Sequence, residues 1–148
     1  MIEIDIHSDD VHFNWENESL VTDWIKEILV QHKHSEVTLS YVYCSDDKLL
    51  SINKEYLNHD YYTDVITFDL SDDETINGEI YCSLDRIKEN ASSLNIPFEQ
   101  ELCRVMIHGV LHLLGWNDKD ETQKESMTAK EDACLSLLHE VPRGTFID

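Results

Sequence analysis

At 148 residues, with 41% of them hydrophobic and 9% aromatic, the chain has the size and composition of one folded domain, which excludes an intrinsically disordered segment. Its 31 acidic against 11 basic residues give a formal charge of −20, which excludes the broad basic footprint of an ordinary nucleic-acid binder. No run approaches the roughly 20 apolar residues of a bilayer span, and no basic stretch leads into an apolar one at the N-terminus, so a soluble, cytoplasmic protein without a membrane partner is expected.

In chain order, Ile2, Ile4 and Ile6 alternate with polar residues and predict a first strand. Leu20, Trp24, Ile25, Ile28 and Leu29 recur at helical spacing and predict a helix over Asn17–Lys33, capped by Asn17 or Ser19. Val37–Cys44, rich in β-branched and aromatic residues, predicts a second strand, and Asp46-Asp47 opens a short helix through Tyr56. Thr63–Leu70 and Glu79–Leu84 predict a third and a fourth strand, separated by an acidic loop that ends in the turn signal Asn77-Gly78. Helical patterns follow over Asp85–Leu94, Pro97–Leu114 and Glu121–His139, with Pro97 tolerated in the first turn of its helix. The sum over residues 1–148 is a single α+β domain, a small mixed sheet of about four strands covered by helices. If the first two strands are parallel, their crossover should be right-handed. The cysteines Cys44, Cys82, Cys103 and Cys134 lack close spacing and are expected as reduced thiols.

The chemistry concentrates on one segment, His108-Gly-Val-Leu-His112-Leu-Leu-Gly115-Trp-Asn-Asp118. Histidines four apart on a helix lie on one face, one turn from each other, so both imidazoles reach one ion. Gly115 lets the chain turn back past the helix end, and Asp118 can then return a carboxylate oxygen to the same ion. The pattern H-x-x-x-H-x-x-G-x-x-D has the spacing of the metzincin motif with its last ligand changed, and predicts one bound transition-metal ion, zinc by preference. Two uncoordinated imidazoles would be poorly placed on a helix otherwise made of Val105, Met106, Ile107, Val110 and Leu111. Gly109 stands where an H-E-x-x-H peptidase carries its general base, which turns the site away from ordinary proteolysis.

His108-Gly-Val-Leu-His-Leu-Leu-Gly-Trp116, continuing to Met127 and Glu131, resembles the C-terminal signature of the YbeY endoribonuclease family of rRNA maturation factors. Ile52-Asn-Lys-Glu-Tyr56, Thr63-Asp-Val-Ile-Thr-Phe68 and Gly78-Glu-Ile-Tyr-Cys-Ser83 are similar to the family's upstream blocks and run in the same order. The resemblance implies a zincin-like fold with the metal-binding helix near the C-terminus and a zinc held by three histidines. It also implies cleavage of single-stranded RNA in ribosomal RNA processing, notably at the small-subunit 3′ end, and in ribosome quality control, with the small subunit or its proteins as partners. His108 and His112 match the first two ligands, while Asp118 falls where the third histidine stands. A carboxylate there lowers the net charge of the site and also suits iron or another divalent transition metal. Leu57 replaces an arginine that would hold a phosphate, for which His59 and Arg104 are candidate substitutes; Arg104 could equally pair with Glu101 or a neighbouring acid.

Other residues are weighed as well. Thr63 and Asp64 border the cleft by the resemblance, or Asp64 bonds backbone at the strand start. Trp116 stacks on a base or plugs the loop beneath it, Glu101 supports a liganding imidazole, and His139 is a structural cation near a helix C-terminus. The rival functions are a metzincin-like metallopeptidase, a non-catalytic ribosome-assembly factor with a structural metal, and, more remotely, a non-haem iron oxygenase.

Overall fold

Alternating burial marks out the central sheet of the computed structural model, which describes residues 1–147. In chain order the elements are β1 (Ile2–Ser8), β2 (Phe13–Trp15), α1 (Glu18–Gln31), β3 (Val37–Cys44), α2 (Asp46–Leu57), β4 (Val65–Asp69), β5 (Ile76–Ser83), α3 (Leu84–Leu94), α4 (Phe98–Leu113), α5 (Glu121–Leu135) and β6 (Gly144–Phe146). The sheet has the order β1-β3-β5-β4, with β1, β3 and β5 parallel and β4 antiparallel to β5. This is the α+β architecture with a mixed four-stranded sheet that the pattern predicts.

Period-two side-chain alternation gives the sheet two faces. Val37, Leu39, Tyr41 and Tyr43 of β3, with Ile80 and Cys82 of β5, join α1 and α4 in the main core. Ile66, Phe68 and Tyr81 point the other way and pack with Leu49 and Ile52 of α2. Two buried tyrosines tie β3 to α4: Tyr41 Oη donates to the Met106 carbonyl at 2.9 Å, and Tyr43 Oη to the Met106 sulfur at 3.2 Å. The helix of the candidate metal site is thereby anchored on the sheet rather than on a loop. All four cysteines are buried and free, and burial pushes the Cys44 and Cys103 thiols up to about 12, so they stay protonated.

Three features differ from the sequence reading. Asn77-Gly78 lies inside β5 instead of making the turn. A Cβ on Gly78 would sit 2.4 Å from Leu113 Cδ1, so the glycine permits close approach of α4 to the sheet. The reversal is made earlier by Asp72, whose Oδ1 accepts from the Glu74 and Thr75 amides at 2.9 and 2.7 Å and from Thr75 Oγ1 at 3.0 Å. Second, the last helix stops at Leu135, short of His139. The Cys134 carbonyl, which a continuing helix would offer to the Leu138 amide, accepts from Trp24 Nε1 at 2.8 Å and from the Leu137 amide at 3.1 Å, and the Leu138 amide turns to Leu135. His139 therefore lies beyond the helix end. Third, the short ribbon of β2 and β6 was not visible in the pattern; it clusters Phe13 against Phe98 and Phe146 at 5.5 and 5.2 Å between ring centroids. Among the described residues no helix is long and apolar enough to cross a membrane.

Candidate metal centre

Helix α4 ends in a Schellman motif: the Gly115 amide donates to the His112 carbonyl and the Trp116 amide to the Leu111 carbonyl, both at 3.0 Å. Gly115 has φ of +100°, the left-handed region where glycine carries no Cβ penalty. The turn brings Asp118 back over the helix face that holds the two histidines. Asp120 then caps α5 by accepting from the Gln123 amide at 2.7 Å, and Gln123 Oε1 accepts from the Lys119 amide at 2.9 Å. Asp118 is thus held between two pinned ends.

The three side chains converge. His108 Nε2 and His112 Nε2 lie 3.0 Å apart, and Asp118 Oδ2 is 3.4 Å from the first and 3.5 Å from the second. A tetrahedral ion with bonds of about 2.0–2.1 Å needs ligand atoms roughly 3.3 Å apart, so the donor set has the spacing of one ion. His108, His112 and Asp118 could hold a metal, and each is partly exposed, leaving a side open to a substrate.

Glu131 of α5 supports the first histidine. Its Oε2 lies 2.6 Å from His108 Nδ1, so Nδ1–H donates to the carboxylate and the Nε2 lone pair faces His112 and Asp118. Burial alone would lower the His108 pKa, but the hydrogen bond and charge of Glu131, with Asp118 and Asp64, raise it overall. Burial and the neighbouring His108 instead lower that of His112. The sequence reading had assigned this supporting role to Glu101, which does not reach the histidines. Glu101 is buried, with Oε1 4.0 Å from Arg104 Nε. The missed signal is positional: Met127, Glu131 and Cys134 form the buried stripe of the otherwise polar α5, and an acid in such a stripe requires a partner.

Arg104 turns toward acids. Its Nη1 donates to Glu131 Oε1 at 2.9 Å and its Nη2 to Asp132 Oδ1 at 2.5 Å. Of the two residues considered for phosphate contact, His59 lines the cleft beside the histidines and Arg104 does not. That cleft, about 590 Å³, has His112, Leu113 and Asp118 on one side and Leu57, His59, Tyr61 and Thr63 among its other walls. Asp64 lies just before β4, near His108; burial pushes its carboxyl up, while His108 and the amides of Asp64 and Val65 hold it partly down. Trp116 packs against the core with Lys130 5.6 Å over its ring, as a plug under the loop.

Gly109 has a spatial reason as well as a chemical consequence. A Cβ there would lie 2.9 Å from Ile80 Cδ1 and Cγ2 and 3.1 Å from Thr67 Oγ1. The position where peptidases carry their glutamate is filled by the sheet itself.

The chain is similar to known proteins over most of its length. The family model described as Endoribonuclease YbeY matches residues 3–139. The chain is 44% identical to Endoribonuclease YbeY of Flavobacterium psychrophilum over 130 residues, covering 88% of this chain and 93% of that protein. It is 45% identical to Endoribonuclease YbeY of Phocaeicola vulgatus over 117 residues, covering 79% and 85%. The solution structure of TM1509 from Thermotoga maritima superposes with a TM-score of 0.64 at 27% identity, covering 91% of this chain and 88% of that one. With the family model matched over residues 3–139 and relatives above 40% identical over most of its length, this chain belongs to the YbeY endoribonuclease family, and with it to the hydrolases that cut RNA internally.

Proposed function

We propose that the chain is a metal-dependent endoribonuclease that cleaves single-stranded RNA during ribosomal RNA maturation, with His108, His112 and Asp118 holding one zinc ion. The observation that carries this reading is the convergence of three donor atoms, spaced 3.0 to 3.5 Å apart, at one end of a cleft in a chain of this family. A zinc ion held there supplies a Lewis acid for a phosphodiester oxygen and a nucleophile at neutral pH. The chain's own residues supply the geometry. Glu131 accepts the hydrogen bond from His108 Nδ1–H and so keeps the Nε2 lone pair free to coordinate, and the Arg104 guanidinium balances the buried carboxylate. Asp118 makes the site less positive than three histidines would, which favours release of an anionic product and moderates the pull on a nucleophile. His59 is the group on the facing wall able to meet a phosphate oxygen. The setting that follows is cytoplasmic, with the small ribosomal subunit or its proteins presenting the 3′ end of its RNA and with a share in ribosome quality control.

The test is cleavage of a fluorescent single-stranded RNA by protein purified without a histidine tag. Activity is expected to vanish with chelator, to return with zinc, and to be lost in His112→Ala. Cleavage that survives both chelation and His112→Ala would rule out the metal mechanism. Elemental analysis of Asp118→Ala tests the third ligand, since metal retained there at full stoichiometry removes Asp118 from the set.

A further inference from the structure

The cleft wall facing the histidines is built from rings that folding leaves in water. Between α2 and β4 the run His59-Asp60-Tyr61-Tyr62 exposes 56% of Tyr61 and 49% of Tyr62. The His59 and Tyr61 rings are stacked, with centroids 5.1 Å apart and planes 20° from parallel, and the Tyr61 hydroxyl lies 3.0 Å from His59 Nδ1.

The segment is held in place from below. Asn53, only 1% exposed, donates from Nδ2 to the Tyr61 carbonyl at 2.8 Å, and its main-chain carbonyl accepts from the His59 amide at 3.1 Å. Asn58 turns the chain in the left-handed region at φ of 55°. Arg86 covers the Tyr62 ring at 5.2 Å while its Nη2 donates to Asp46 at 2.7 Å. A buried amide thus serves to fix the backbone of rings that gain nothing from the core, and ordered, exposed aromatic surface of this kind marks a binding site.

Resting on the endoribonuclease reading above, we propose that Tyr61, backed by His59, is a stacking subsite for an unpaired nucleobase of the RNA strand bound at the metal centre. Tyr61, His59, His112 and Asp118 line one cleft, so a strand whose phosphate meets the metal end can lay a neighbouring base on the ring. At a formal charge of −20 the chain gains little from attracting phosphates at long range, whereas stacking on a π-face does not depend on charge. The subsite also accounts for strand preference. A base in a duplex is already stacked on both faces and cannot reach the ring without being unpaired first.

The experiment uses the zinc-loaded full chain and a non-cleavable 2′-O-methyl oligonucleotide carrying 2-aminopurine, whose fluorescence is quenched on stacking. Its companion probe has the same sugar–phosphate backbone with abasic positions. Tyr61→Ala is expected to weaken binding of the base-bearing probe about tenfold and to abolish the quench, with Tyr61→Phe close to wild type. The abasic probe should bind wild type and Tyr61→Ala alike and more weakly than the base-bearing probe binds wild type. Zinc content and melting temperature of the variants serve as folding controls, and Tyr61 is exposed enough for both to hold. Equal binding of the base-bearing probe by wild type and Tyr61→Ala overturns the subsite, as does a Tyr61→Phe loss as large as that of Tyr61→Ala. If wild type still cleaves RNA in a zinc-dependent way, only the subsite has failed. If wild type neither binds nor cleaves, the endoribonuclease reading fails with it.

Discussion

At the residue scale the informative position is Glu131, because it separates holding a metal from merely collecting ligand types. A carboxylate 7% exposed is costly to bury alone, and here it is shared between His108 Nδ1 at 2.6 Å and Arg104 Nη1 at 2.9 Å. Glu131→Gln keeps the shape and one acceptor oxygen for His108 Nδ1–H, turns its NH2 toward Arg104, which still pairs with Asp132, and removes the charge that strengthens the His108 Nδ1–H bond and raises the basicity of Nε2. Zinc affinity is expected to fall about 10- to 100-fold, with little loss of structure. Competition against a chromogenic zinc chelator measures it, with circular dichroism as the control. An affinity equal to wild type would reduce Glu131 to a packing partner of Arg104. Glu131→Ala should do more harm, since it leaves His108 Nδ1–H and one edge of the Arg104 guanidinium without their carboxylate. Arg104 illustrates the same lesson from the other side: its place one turn before His108 suggested phosphate contact, but the nearest strong acceptors are the acids of α5.

At the scale of elements, glycines in α4 and β5 set how closely α4, with its candidate metal ligands, lies on the sheet. Gly109 meets Ile80 and Thr67, and Gly78 meets Leu113. Gly109→Ala gains helix propensity of about 1 kcal/mol but overpacks the contact with Ile80 at a cost of about 1–3 kcal/mol. The net is a loss of roughly 0–2 kcal/mol, read as a lower denaturant midpoint with an unchanged slope. Gly109→Glu adds the burial of a carboxylate against Ile80 and should be far less stable than Gly109→Ala. A stable, zinc-binding Gly109→Glu would show that the helix can lift from the sheet. This contact explains which parts of the molecule could be read from the sequence. Period and β-branching delimited β3 fully, and the histidine spacing with Gly115 placed the turn and the returning Asp118. Asn77-Gly78 misled because local turn chemistry and close helix–sheet approach both call for glycine, and only the tertiary partner, Leu113, tells them apart. The β2–β6 ribbon was not legible for a related reason. Three-residue strands far apart in sequence have no period to detect, and their register is set by Phe13 lying against Gly144 and Phe146.

At the scale of the whole molecule, the charge distribution decides how an RNA strand must be held. Several of the 11 basic residues are already committed: Arg86 to Asp46, Arg104 to Glu131 and Asp132, Lys48 to Asp9 and Lys54 to Asp60. A protein that neutralises Z phosphates of a single strand loses affinity with salt at a slope of about −0.7Z, so a basic binder weakens steeply between about 50 and 200 mM salt. The other seven are set among 31 acidic residues, with Lys119 the one that lines the cleft, so little net counterion release is expected, and added salt also screens the repulsion from the acidic surface. The affinity for a non-cleavable single-stranded RNA is therefore expected to be weak and nearly independent of salt, with a logarithmic slope between about zero and −1, measured by fluorescence anisotropy. A slope of about −4 or steeper would mean that a basic track exists which the arrangement of ion pairs does not suggest, and that stacking is secondary. A shallow slope, with affinity that rises sharply when the RNA is presented on small ribosomal subunits, would place recognition in the assembly. The acidic surface would then act as a filter, denying the metal centre to RNA that arrives alone and admitting a strand that a partner has already brought to the cleft.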